Sequence, residues 1–86
     1  MKKLTIKALS KLLEENYFLG CFKGIIKDRN YFYIIYPYMM AKLIYGVSFG
    51  WSVAMYGEIN YGTSKHLVSI CDKLEVMGYK GESEND

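Results

Sequence analysis

The chain carries one proline, one histidine, one tryptophan and two cysteines in 86 residues, and each scarcity closes off a class of function. General acid-base chemistry needs an imidazole or carboxylate held by an orienting partner within reach of a nucleophile. His66 falls in the first turn of a predicted helix beside Lys65, and Asp72 lies six residues on, on roughly the opposite side. It reads as a surface histidine rather than a base. Cys21 and Cys71 have no second cysteine pair and no nearby histidine, so neither a zinc site nor a secreted disulfide framework can be built from them. Paired carboxylates and a nucleophilic serine elbow are also missing. The expectation is therefore a protein that is not an enzyme, has no cofactor and no metal, and is cytoplasmic with free thiols.

Long apolar runs are scarce too. Met1-Lys2-Lys3-Leu4 resembles the basic start of a signal peptide, but Lys7 and Lys11 interrupt the apolar stretch that such a signal needs. Leu43 to Gly57 is uncharged and contains Gly46-x-x-x-Gly50, a spacing seen where membrane helices pack. Its 15 residues fall short of the roughly 20 that span a bilayer, so no membrane partner is expected. Gly57-x-x-x-x-Gly62-Thr63-Ser64-Lys65 has the outline of a phosphate loop. The lysine does not directly follow the glycine, however, and a chain this short has no room for the parallel sheet that holds a nucleotide. A turn followed by a helix cap accounts for it.

What remains is a composition that folds: 51% hydrophobic, 23% charged and 16% aromatic. A domain of this size buries only about 60–65% of the surface its unfolded chain exposes. Residues 1–43 carry eight Lys and Arg against three acids, while residues 44–86 carry three against six, so the halves differ in sign. That asymmetry permits an acidic or phosphate-bearing partner, and it is equally an ordinary solvated surface.

Periodicity supplies the elements. Ile6, Leu9, Leu12 and Leu13 recur at helical spacing behind Thr5, predicting a capped amphipathic helix over 5–16. Its start resembles the first helix of a helix-turn-helix, but no recognition helix follows, because 17–27 is rich in glycine, aromatic and β-branched residues. Strands are predicted over 17–26 and 31–36, joined by the polar turn Asp28-Arg29-Asn30, with Pro37 ending the pairing or lying at an edge. From Lys42 to Ile59 large apolar residues occupy the odd positions and mostly small or polar ones the even positions, the period of a strand with one buried face. So long a run is expected to be divided by a turn near Gly46 or Gly50. Because odd and even do not exchange, its loop should hold three or five residues, with one glycine at positive φ, or else the run is one long strand bent at a glycine.

A second helix is predicted over 63–77, capped by Thr63 or Ser64, with Leu67, Ile70, Cys71, Leu74 and Met77 on one stripe and Gly78 in the left-handed position beyond. Tyr79 should close back on Leu74. The fold class is thus α+β: a helix, an antiparallel sheet of three to four strands, and a helix, with both helices packed on one sheet face. Residues 1–79 form the single domain and 80–86 a disordered acidic tail.

Nine tyrosines are more than so small a core can bury. Tyr31, Tyr33, Tyr36 and Tyr38 cluster within eight residues. Tyrosine is a good strand former, but it also offers rigid amphipathic contact area at low entropic cost. These four are the candidate partner-binding residues of a small interaction protein that binds and inhibits or modulates a larger protein complex. By analogy of class, phages and mobile elements carry anti-defence inhibitors of this size. A second reading is single-stranded nucleic-acid binding, with Lys23, Lys27, Arg29 and Lys42 on phosphates and Tyr31, Phe32 or Tyr33 stacked on bases. A third is a homodimer formed through the sheet or the aromatic face.

Overall fold

The computed structural model describes residues 2–15 and 22–82. Helix α1 (Ile6–Glu15) buries Leu9, Leu12 and Leu13, and the Thr5 hydroxyl accepts the Ala8 amide at 3.1 Å, satisfying one of the donors that a helix start leaves free. The first predicted strand begins among residues outside the described set, as does Cys21. The strand observed, β2 (Gly24–Asp28), begins after Phe22 and Lys23 and runs two residues beyond the predicted end at Ile26.

Four strands form an antiparallel meander in the order β2, β3 (Tyr31–Ile35), β4 (Met39–Gly46) and β5 (Gly50–Gly57). Each connection has its own local cause. The first is tighter than predicted, because Asp28 belongs to β2 and pairs with Tyr31. That leaves the two-residue loop Arg29-Asn30, which Arg29 closes by taking a φ of 56°, the sign that tight hairpin turns require. At the second, Pro37 offers no amide to the ladder, and the Tyr36 amide instead donates to the Met39 carbonyl at 2.9 Å. Pairing resumes at Met39, ahead of the predicted Lys42.

The third connection is the three-residue loop Val47-Ser48-Phe49, closed by the pair Gly46 and Gly50. Parity is therefore kept across it as expected, and Gly50 has the positive φ, 73°. Val47 and Phe49 share the odd parity of the buried residues, but they stand in the loop and are exposed. A side chain at Gly50 would also collide with the Glu75 carboxylate, which accepts the Trp51 amide at 3.2 Å and ties β5 to the helix beyond.

That helix, α2 (Tyr61–Val76), starts earlier than predicted. Asn60, not Thr63 or Ser64, is the cap, and its side-chain oxygen accepts the Thr63 amide at 2.8 Å. Tyr61 and Gly62 are off the apolar stripe and so gave no periodic signal, yet they complete the first turn. Gly78 takes the left-handed conformation at φ 81°, as expected.

Two short strands then close the molecule. In β6 (Tyr79–Lys80), Tyr79 pairs with Lys2 and Lys80 with Lys3 of β1 (Lys2–Lys3), in parallel. The Leu4 amide donates to the Lys80 carbonyl at 2.9 Å, and Lys3 Nζ lies 2.9 Å from Glu82. Lys80 and Glu82, expected to belong to the acidic tail, thus contact the rest of the protein, Lys80 through backbone bonds that no side-chain pattern announces and Glu82 through its carboxylate. Residues 83–86 lie outside the described set.

The buried residues of both helices and of the sheet form one core, joined by Leu4 and Trp51. On the strands they share one parity: Phe32 and Ile34, then Met39, Ala41, Leu43 and Tyr45, then Trp51. Val53 and Met55 pack against the same core while Ser52 is exposed, so the predicted alternation holds in β5. Trp51 is 4% exposed. Its ring lies 5.1 Å from Tyr45 and 6.2 Å from Phe32 between centroids, and its indole nitrogen donates to the Tyr79 carbonyl at 3.1 Å. A Cβ built on Gly81 would approach the indole to 2.7 Å.

Trp51→Ala should therefore destabilise the protein by about 3–5 kcal/mol, read by urea unfolding. Gly81→Ala should cost about 1–3 kcal/mol by overpacking, whereas Gly24→Ala, with nothing within 4 Å of its added carbon, should not lower stability. Equal effects at the two glycines would show that Gly81 does not seat the indole.

Candidate functional site: the tyrosine face of the sheet

Side chains alternate across a strand, and residues paired in a ladder share a face. The register therefore lays out the face opposite the core in three rows. One runs Asp28, Tyr31, Ile44, Ser52; the next Ile26, Tyr33, Lys42, Ala54; the last Gly24, Ile35, Met40, Tyr56. Ile26 and Tyr56 are exposed by half or more, and Tyr31, Tyr33, Ile35, Met40 and Ile44 are partly exposed. Tyr31 and Tyr33 meet edge to face, their ring centroids 6.4 Å apart, a geometry that complements the charge distribution of the rings. Lys42 sets its ammonium 3.9 Å from the Tyr31 centroid and 5.9 Å from that of Tyr33, within cation–π range. Among the described residues it has no ion-pair partner.

The four tyrosines singled out in the sequence divide. Tyr31 and Tyr33 stand together on this face. Tyr36 has the opposite parity and packs against the core, where burial raises its phenol above its ordinary pKa. Tyr38 follows Pro37 in the β3–β4 connection and is 76% exposed. The four basic residues divide as well, and only Lys42 lies on the tyrosine face. Lys23 precedes β2 and donates its amide to the Ile35 carbonyl. Lys27 pairs with Phe32 and donates its ammonium to the Arg29 carbonyl at 2.9 Å, while Arg29 forms the turn.

Sequence reasoning missed Tyr56, Ile26, Ile35, Met40 and Ile44 as members of this face. They come from all four strands and converge only through the register, which the lengths of the three connections fix together.

The sparse reactive groups lie elsewhere. Cys71 is buried on α2, and burial, with the neighbouring Asp72 and Glu75 carboxylates, pushes its thiol up to about 12. Burial and the Lys73 ammonium hold the His66 imidazole below its ordinary value of 6.5, opposite to the shift a neighbouring carboxylate imposes. A groove of about 350 Å³ runs between α1 and the end of α2, lined by Ala8, Leu12, Met77 and Tyr79 beside Lys7 and Lys11. Among the described residues no three His, Cys, Asp or Glu side chains could hold a metal ion together, and no helix is long and apolar enough to cross a membrane. The uncharged stretch 43–57 is a β-hairpin instead. No protein-family model, curated protein or solved structure matches the chain.

Two solution properties follow. Native Cys71 should resist iodoacetamide at neutral pH and react once guanidinium unfolds the chain, as peptide mapping will show. For His66, the unfolded chain takes up a proton at higher pH than the folded one, so stability is full above about pH 6.5 and falls as the pH drops below it. His66→Gln should reduce that loss between about pH 6.5 and 5 in thermal unfolding; an unaltered slope would contradict the assignment.

Proposed function

We propose that the protein acts without catalysis, as an interaction module that binds a larger protein complex through the tyrosine face and so occludes a site or alters assembly. In this reading both helices cover the Phe32 and Ile34 side of the sheet and leave the Tyr31 and Tyr33 side to the partner. The observation that carries it is the convergence of Tyr31, Tyr33, Tyr56, Ile26 and Ile35 on one partly exposed face. Contiguous apolar surface of this kind on a small protein marks interaction sites, and tyrosine supplies anchors of the sort that dominate binding energy.

A protein surface suits this face better than nucleic acid does. Asp28 and Lys42 are the charged residues that the register puts on it, so it presents no net charge to a phosphate backbone. Lys23 and Lys27 share the opposite parity. Binding through such a face should depend only weakly on salt, whereas phosphate contacts give a steep dependence.

Affinity capture from the native host, with recovered protein and nucleic acid both identified, tests the proposal. Tyr33→Ala and Tyr56→Ala should keep the fold, since each side chain leaves the core intact, yet each should weaken capture by about 2 kcal/mol or more. Tyr61→Ala, at an exposed site on α2, should leave it unchanged. Recovery of nucleic acid that is lost steeply with salt would overturn the reading.

A further inference from the structure

The tyrosine face carries two charges among otherwise uncharged residues, and among the described residues neither has an ion-pair partner. Asp28 ends β2 in the Tyr31 row, and Lys42 lies on β4 in the Tyr33 row. Strand spacing and rise put their backbone positions about 12 Å apart, and no ion pair joins them. β3 runs between them, with Tyr31 in the row of one and Tyr33 in the row of the other. This arrangement is self-complementary. A twofold axis lying in the plane of the face and crossing β3 between Tyr31 and Tyr33, perpendicular to the line joining the two charges, sets Lys42 of each copy against Asp28 of the other.

We propose that, in the absence of its partner, the protein closes this face with a second copy of itself. It forms an isologous dimer with the Tyr31 and Tyr33 rings of both copies at its centre and two reciprocal Asp28–Lys42 ion pairs about the axis. The proposal rests on the reading of this face as a binding surface and adds its regulation, because self-association and partner binding then compete for the same residues.

Three observations converge on a second copy as the occupant. An isologous interface requires each patch to complement itself, and one cation and one anion on either side of a neutral aromatic strip meet that condition. The ammonium of Lys42 is already held over Tyr31, so little side-chain freedom is lost when a carboxylate approaches it. Two strands of five residues and two of eight, about 4.8 Å apart, offer roughly 400 Å² per copy, about 800 Å² in all, the size of a weak, transient interface. Such a dimer is weak enough to exchange for a partner.

Sedimentation equilibrium on the full chain tests this with two charge reversals, Lys42→Glu and Asp28→Lys. Both sites face away from the core, and circular dichroism verifies that the variants fold. Wild type should dimerise below about 100 µM. Each variant alone should bind itself at least about tenfold more weakly, because both pairs become like-charged. An equimolar mixture of the two should dimerise again, since it holds one native and one exchanged ion pair. On wild type, independently of any variant, carbodiimide coupling of light and heavy isotope-labelled chains should yield an intermolecular Asp28–Lys42 amide. Monomeric wild type above about 100 µM, self-association of either single variant at wild-type strength, or a mixture that stays monomeric would each overturn the dimer. None of these results touches partner capture, which stands or falls by the tyrosine substitutions.

Discussion

The Trp51 indole joins parts of the molecule that are distant in sequence. Its ring nitrogen, a donor with no acceptor capacity, is satisfied by the Tyr79 carbonyl at 3.1 Å. One part of the ring meets Gly81, and its neighbours Tyr45 and Phe32 come from β4 and β3. Through the backbone amide of the same residue, Glu75 of α2 reaches β5. The short pairing of β1 with β6 depends on this arrangement, because Tyr79 belongs to β6 while its carbonyl receives the indole. An ion pair between exposed Lys3 and Glu82 adds little. The buried ring and its hydrogen bond contribute far more.

Fixing Trp51 inward fixes the sheet. In a strand of period two, a residue held on one side assigns every neighbour to a side. Val53 and Met55 follow Trp51 towards the core, and Ala54 and Tyr56 are turned away. The antiparallel register carries the same assignment through Lys42 and Ile44 on β4 to Tyr31 and Tyr33 on β3. The apolar character of the outward face is then what requires explanation. A sheet face turned to solvent is ordinarily polar, and here tyrosine, isoleucine and methionine occupy those positions. On the proposed function these residues serve association, and core stability rests on the other parity.

Much of this fold is legible in the amino-acid sequence. The alternation from residue 43 to 55 could be read because one face of β4 and β5 is buried and its neighbour is not, and the unbroken parity implied a loop of three or five residues near Gly46 or Gly50, of which the shorter is found. Helix α1 and the left-handed Gly78 were equally plain, since both rest on local rules. The Asn60 cap was hidden by a first turn, Tyr61-Gly62, that buries no stripe. The β1–β6 pairing was invisible because two-residue strands are held by backbone hydrogen bonds, which leave no side-chain period. The tyrosine cluster was seen as a run along the chain, but Pro37 breaks that run. Tyr36 turned inward and Tyr38 moved into a connection, while Tyr56, far away in sequence, joined Tyr31 and Tyr33 in space.

The central claim is a division of labour between the two sheet faces, and β3 alone is enough to test it. Alanine substitution at each position of Tyr31-Phe32-Tyr33-Ile34-Ile35, with unfolding free energy and host-partner capture measured on the same preparations, separates the two roles. The account predicts alternation: large stability losses at Phe32 and Ile34, of about 2–5 kcal/mol, against retained folding with weakened capture at Tyr31 and Tyr33. Stability losses at Tyr31 and Tyr33 as large as those at Phe32 and Ile34, with capture undiminished in the folded fraction, would contradict it.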